Sequence, residues 1–303
     1  MRLVAALLSA AAFALAAPAL AQEERSAERL TGTLAKVRSS GYVTIAHRES
    51  SIPFSYLSKV GEPIGYSIEL CRRLVDAMSD AVGRDLSIRW LPVTSESRFE
   101  AIRSGRADLE CGSTTSDRVR EKKESVAFSP TIFVSGTKLM VKSGSPIKSF
   151  RDLRGKTVVV TAGTTNEETM QRLAKQFGIE YKIQVARDHA ESFAEVAQGR
   201  ADAFATDDVL LYGLIAQNAA RGKYLVVGEF LSFDPYGIMY RRNDPQMQRV
   251  VTDAFRALAD DGEIDRQYQR WFMKKLPTST VGIDLPMSPQ LESIIRAMAV
   301  SPD

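Results

Sequence analysis

The chain has 303 residues, with 40 Lys plus Arg against 37 Asp plus Glu, two histidines and two cysteines. Near-balanced charge without a basic block argues against nucleic acid as the main partner, and two histidines offer little for a metal centre. About 280 residues remain once a leader is set aside, enough for two lobes with a core each.

The leader is residues 1–21. Arg2 gives a positive start, Leu3 to Leu15 is apolar, and Ala19-Leu20-Ala21 fits a small-x-small cleavage site. The apolar run is too short to span a membrane. An N-terminal core helix is the competing reading, opposed by the nearly pure Ala/Leu composition and by Pro18. Arg2 is the only charge in the segment, so cleavage leaves 39 basic side chains against 37 acidic ones. The mature form is expected to begin at Gln22 and to be soluble outside the cytoplasm. No Cys follows the cleavage site to carry a lipid.

Strands and helices then alternate. Tyr42–Ala46 reads as a strand, Ile68, Cys71, Leu74, Val75 and Met78 recur at helical spacing, and Leu86–Trp90 is strand-like. Thr157–Val160, a helix from about Asn166 to Phe177 and a strand near Tyr181 repeat the scheme. Such alternation points to parallel α/β sheets, whose ligands sit beyond the carboxyl ends of strands. Cys71 and Cys111 can form a disulfide in an oxidising compartment or remain as two buried thiols.

An internal echo adds to this. Phe99–Asp108 resembles Phe193–Asp202, with Gly105 matched to Gly199 at an offset of 94. Each copy reads as a helix, a glycine cap and a strand starting after Asp. Ser113 and Asp207, at the same offset, would end the two strands. Two lobes with a similar βα unit, facing each other across a cleft, explain the echo better than chance.

Several chemistries fail on inspection. Arg154-Gly155-Lys156-Thr157 lacks the P-loop glycine, since Phe150 stands five residues before Gly155. His47 and His189 have no partner at metal-ligand spacing. No Gly-x-Ser-x-Gly elbow occurs. Glu49 and Asp207 as an acid–base pair have only their residue type in favour.

What remains is polar and cationic groups at strand ends. His47-Arg48-Glu49-Ser50-Ser51 follows the first strand. Thr94-Ser95-Glu96-Ser97-Arg98 opens a helix, with Ser95 as its expected N-cap. Cys111–Thr115 with Arg120, Thr161–Thr165, Arg187-Asp188-His189 and Thr206-Asp207-Asp208 complete the set. Singly, each reads as a helix cap or a solvated side chain. Together they suit an acidic amino acid, whose two carboxylates need cations and whose ammonium needs acceptors once water is excluded. Arg meets carboxylates through its bidentate fork.

These residues resemble the periplasmic glutamate/aspartate-binding proteins of ABC importers, within the family 3 solute-binding proteins. The resemblance runs from about Leu34 to near Ile295. It is carried by Gly41–Phe54, Glu110–Thr115, Phe128–Gly136, Val158–Thr165 and Asp188-His189. It implies an α/β, bilobed periplasmic-binding-protein fold (type II), with a ligand cleft and two crossing hinge segments near Phe133–Gly136 and Leu231–Tyr236. Residues 22–133 would form lobe 1, 134–232 lobe 2, and 233–303 the return to lobe 1 with the C-terminal helices. Arg120 and Thr115 would hold the ligand α-carboxylate, helped by the turn from Thr161 to Thr164, and Ser113 and Asp207 would accept from the ammonium. Arg48, Ser95, Arg98 and His189 would surround the side-chain carboxylate, His189 as imidazolium or as a neutral N–H donor. Ser116-Asp117-Arg118 and Ala162 depart from the family's usual Asn-rich stretch and Ser. The expected partners are L-glutamate or L-aspartate and a membrane permease, with a monomeric receptor, no cofactor, no metal and no catalysis. The competing readings are an enzyme on the same scaffold (a dehydratase or a peptidoglycan-cleaving domain), a ligand-sensing ectodomain, and a receptor for a neutral amino acid such as glutamine.

Overall fold

The computed structural model describes residues 29–300, so the leader expected at 1–21 lies outside the described residues. Two five-stranded sheets dominate. In the first, 87–92, 42–47 and 109–110 run parallel, and 239–241 and 126–128 complete the order. In the second, 182–186, 157–161 and 203–207 run parallel, followed by 137–142 and 224–227. Both sheets are mixed rather than wholly parallel. Met239–Arg241 runs antiparallel to both of its neighbours, as does Thr137–Lys142. Each of these antiparallel strands follows a passage of the chain from one sheet to the other and so enters from the hinge side, reversed in direction.

The two passages pair with each other. Phe133–Ser135 lies antiparallel to Asp234–Tyr236, forming a two-stranded ribbon between the sheets. The ribbon is anchored by rings: Phe133 packs on Phe54 at 5.0 Å and on Phe272 at 4.9 Å, and Tyr236 packs on Phe54 at 5.1 Å. The helix Glu263–Phe272 therefore closes against the first sheet's side of the hinge. Packed aromatic pairs of this kind each add about 0.5–1.5 kcal/mol beyond their area.

The helix Tyr66–Val82 buries Ile68, Cys71, Leu74, Val75 and Met78 on one face, the face that its periodicity predicts. Cys71 is bonded to Cys111. The bridge ties this helix to the segment leaving Leu109–Glu110, which carries Ser113 and Thr115.

The internal echo recurs in hydrogen bonds. The N–H groups of Asp108 and Asp202 each donate to the carbonyl of a strand residue, Thr44 or Thr157, at 2.8 Å. The carboxylates accept in return from the Thr44 and Thr157 N–H groups, at 2.9 and 2.8 Å. Ala107 donates to Ala101 and Ala201 to Glu195, again 94 residues apart. Gly105 and Gly199 share φ +75°, one residue past their helix C-caps Ser104 and Gln198. A left-handed turn there favours glycine. The strands differ in length: Asp207 is the last residue of its strand, whereas the first copy ends at Glu110 and Ser113 lies three residues beyond.

Candidate ligand-binding cleft

The carboxyl ends of the parallel strands in the two sheets meet at a seam, and all ten residues picked out in the sequence are buried there or beside it. On the first sheet's side, Arg48 follows the strand ending at His47 and is 1% exposed. Its two terminal nitrogens are buried and have no hydrogen-bond partner among the described residues. Burial lowers its pKa, against the opposing pull of Glu110, Asp188 and Glu49. Arg98 is brought down to about 9, first by burial; Glu110 opposes the shift, while Arg120 and Arg48 add to it. It remains a cation at neutral pH.

Arg98 is held from two directions. Its Nη1 donates to Thr114 Oγ1 at 2.7 Å, and Thr114 Oγ1 donates to Glu110 Oε2 at 2.6 Å. Its Nη2 reaches across the seam to the Gly163 carbonyl at 3.5 Å, while its Nε is buried without a partner among the described residues. Phe99 lies beneath both this guanidinium and that of Arg120, 5.1 and 5.3 Å from the ring centroid. Arg120 also carries a buried nitrogen, Nη1, that has no partner among the described residues.

Ser95 corrects the capping expectation. The helix Ser97–Arg103 is capped by Thr94 and Ser97: the Ser97 N–H donates to Thr94 Oγ1 at 3.2 Å and the Thr94 N–H to Ser97 Oγ at 2.9 Å. This exchange satisfies the helix start without Ser95. The Ser95 hydroxyl is instead buried and without a partner among the described residues, as is that of Ser113.

On the second sheet's side the polar groups are mostly engaged. Thr164 caps the helix Thr165–Phe177, accepting from the Glu167 N–H at 3.2 Å and donating to the Thr161 carbonyl at 2.7 Å. The Thr161 hydroxyl contacts His189 Nδ1 at 2.9 Å. His189 opens the helix His189–Ala197, which Asp188 caps. Burial, then Arg48 and Arg98, push its imidazole well below its ordinary range, so it is neutral at pH 7. Asp207 accepts from the Asn166 amide at 2.7 Å and from the Tyr236 hydroxyl. Burial pushes its carboxyl well above its usual range, with Asp234 adding to the effect. The Thr115 hydroxyl is shared between Thr165 and Asp234, both at 3.2 Å.

The structure thus divides the ten residues. Arg48, Ser95, Arg98, Ser113 and Arg120 have buried polar atoms still open, whereas the side chains of Thr115, Thr161, Thr164, His189 and Asp207 are already bonded into their surroundings. Sequence reasoning missed Glu110, Asn166, Asp234 and Tyr236 as members of this network, and it included Thr114 only within the run Cys111–Thr115. A charged residue ending a short buried strand was a usable sign for Glu110. The others come from segments gathered only by the fold. Cavities of about 340 and 240 Å³ flank the seam, one lined by Ser95, Phe99, Arg120 and Gly163, the other by Arg48, Ser50, Thr94 and Asp188.

Three buried guanidiniums facing one seam, with Glu110 as a nearby counter-charge, call for anions, because an uncompensated buried charge costs several kcal/mol. Two mixed α/β lobes, a paired hinge and polar groups converging between them define the type II solute-binding fold. The chain belongs to the bacterial extracellular solute-binding proteins, family 3, whose model matches residues 43–274. It is 40% identical to an L-glutamate/L-aspartate-binding protein of Pseudomonas aeruginosa, over 98% of this chain and 97% of the relative. It is 35% identical to a glutamate/aspartate import solute-binding protein of Escherichia coli, with 91% of each chain covered. Among solved structures, an ancestral amino-acid-binding protein described as a precursor of cyclohexadienyl dehydratase matches with a TM-score of 0.68 at 29% identity. That match covers 79% of this chain and 99% of the other.

Proposed function

We propose that this chain is the periplasmic receptor of an ABC importer, binding L-glutamate or L-aspartate between its lobes and presenting the closed form to a membrane permease. The observation that carries this reading is the set of buried guanidinium nitrogens on Arg48, Arg98 and Arg120 that have no partner among the described residues. Arg120 holds the α-carboxylate, while Arg48 and Arg98, with Ser95 and His189, hold the side-chain carboxylate. Ser113 and Asp207 receive the ammonium. Thr115, Thr161 and Thr164 shape the site from behind, since their hydroxyls are engaged elsewhere. The receptor works as a monomer, with lobe 1 formed by residues 22–133 and 233–303 and lobe 2 by 134–232, and it is exported by cleavage after Ala21.

Because both lobes contribute, the ligand binds the closed form better and draws the open–closed equilibrium toward it. Names of relatives in the family support the ligand class, and an enzyme would need an acid or base poised at a reacting atom. The test is a thermal-shift and calorimetric screen of the common amino acids with the mature protein. Stabilisation by glutamate and aspartate, recovered chemically unchanged, is expected. Binding of a neutral amino acid with no response to either acidic one would refute the assignment.

A further inference from the structure

His189 lies in a chain of hydroxyls whose direction is fixed by its far end. Ser192 Oγ lies 3.0 Å from the Asp188 carbonyl, which can only accept, so the Ser192 proton points there. Thr161 Oγ1, 2.8 Å from Ser192 Oγ, must then donate in that pair. The Thr161 oxygen is left to accept from His189 Nδ1 at 2.9 Å. This is the single assignment in which all three bonds are made, and it puts the proton of neutral His189 on Nδ1. Nε2 then bears a lone pair, which repels a carboxylate and becomes a donor only in the imidazolium.

The groups around the ring favour the neutral form until an anion arrives. Arg48 and Arg98 act on it from the first lobe. Phe204 packs 6.5 Å away, centroid to centroid. The adjacent Asp188 carboxylate is turned to the Glu191 N–H and faces Arg187 at 3.7 Å. A ligand carboxylate placed among Arg48, Arg98 and His189 offsets the two cations and gives Nε2–H an acceptor.

We propose that His189 takes up one proton at Nε2 when a dicarboxylic amino acid binds, so that glutamate or aspartate is captured together with a proton from solvent. The proton passes from water or buffer to the Nε2 lone pair; one N–H bond forms and no other covalent bond changes. The inference rests on the placement of His189 at the side-chain carboxylate given above. The sign follows from linkage. The bound form has the higher His189 pKa, so affinity is greatest below the free-state pKa and is lost as pH rises through the bound-state value. Between the two it changes by about tenfold per pH unit.

The test is calorimetry of L-glutamate binding to the mature protein at pH 7.5, in phosphate and in Tris. The dependence of the heat on buffer ionisation gives the proton count. Asp207 is also perturbed, and a proton released from it to meet the ammonium would enter the count, so the readout is a difference between proteins sharing Asp207. Wild type is expected to take up about one proton more than His189→Gln. Ser192→Ala frees the Thr161 hydroxyl to donate to Nδ1 and moves the neutral proton to Nε2. Its uptake is expected to fall toward that of His189→Gln with glutamate still bound, and it stands in for His189→Gln if that variant does not fold. Equal proton counts in wild type and either variant, all binding glutamate, overturn the inference and leave the receptor assignment standing. Failure of the wild type to bind any acidic amino acid overturns both.

Discussion

Replacing Gly163 with alanine should hold the lobes apart. Gly163 has φ +70°, and a Cβ added there would lie 2.8 Å from Glu96 Cγ and 3.0 Å from both Glu96 Cα and N. Glu96 belongs to the opposite lobe, and two of these three contacts are backbone, so a rotamer change cannot relieve them. Two costs must be separated. The left-handed backbone disfavours alanine by about 1–2 kcal/mol in open and closed forms alike. The clash with Glu96 exists only when the seam is shut, and overpacking of this kind costs about 1–3 kcal/mol. Only the second term enters ligand affinity, so Kd for glutamate should rise roughly 5- to 150-fold. Gly178→Ala is the control, because Gly178 has φ +60° and an added Cβ meets nothing within 4 Å. Both variants should lose thermal stability without ligand, and only Gly163→Ala should lose affinity, measured by calorimetry. Equal affinity in the two variants would show that the bound form does not bring Gly163 against Glu96.

Arg98→Ala should weaken glutamate by about 2–5 kcal/mol, the loss expected when one partner of a buried charge pair is truncated, and weaken glutamine far less. Arg120→Ala should abolish binding of both, since both carry the α-carboxylate; competition binding distinguishes the two patterns. Changing Cys71 and Cys111 together to serine opens a loop of 40 residues and should lower unfolding free energy by about 4 kcal/mol on the chain-entropy account, read from denaturant midpoints. Asp108→Ala should cost about 2–3 kcal/mol, because its buried carboxylate also pairs with Lys36 at 2.7 Å. Its echo Asp202→Ala should cost about 1 kcal/mol, and reversal of that order would remove burial as the reason.

The parts of the fold legible in the sequence were those set by local periodicity. The face of Tyr66–Val82 and the run Thr157–Thr161 follow from side-chain spacing alone, and the echo of Asp108 and Asp202 reflects a hydrogen-bond pattern repeated in both sheets. What was not legible depends on where the chain goes after crossing. Thr137–Lys142 and Met239–Arg241 have ordinary strand sequences, and only their entry from the hinge makes them antiparallel. Ser95 shows the limit of local rules: three hydroxyls within four residues compete for one helix start, and Thr94 with Ser97 takes it. Tyr236 reaches Asp207 from 29 residues away, a contact that neither local sequence announces.

The division between open and engaged side chains bears on how the proposed receptor separates glutamate from glutamine. Glu110 is the buried carboxylate opposing both Arg48 and Arg98, and it secures Arg98 through Thr114. With Arg120 included, the buried guanidiniums outnumber this buried carboxylate, and the surplus of positive charge is what the ligand carboxylates meet. A dicarboxylic amino acid brings two carboxylates, and in the proposed binding mode its ammonium is met separately by Asp207 across the seam. Glutamine brings one carboxylate and an amide that cannot neutralise a cation. It would leave a buried guanidinium uncompensated, a state that costs several kcal/mol. Selectivity then comes less from extra attraction for glutamate than from the charge that glutamine leaves unanswered in a low-dielectric seam. The same surplus of charge also opposes closure without ligand, because desolvating Arg48 and Arg98 together is unfavourable until an anion lies between them.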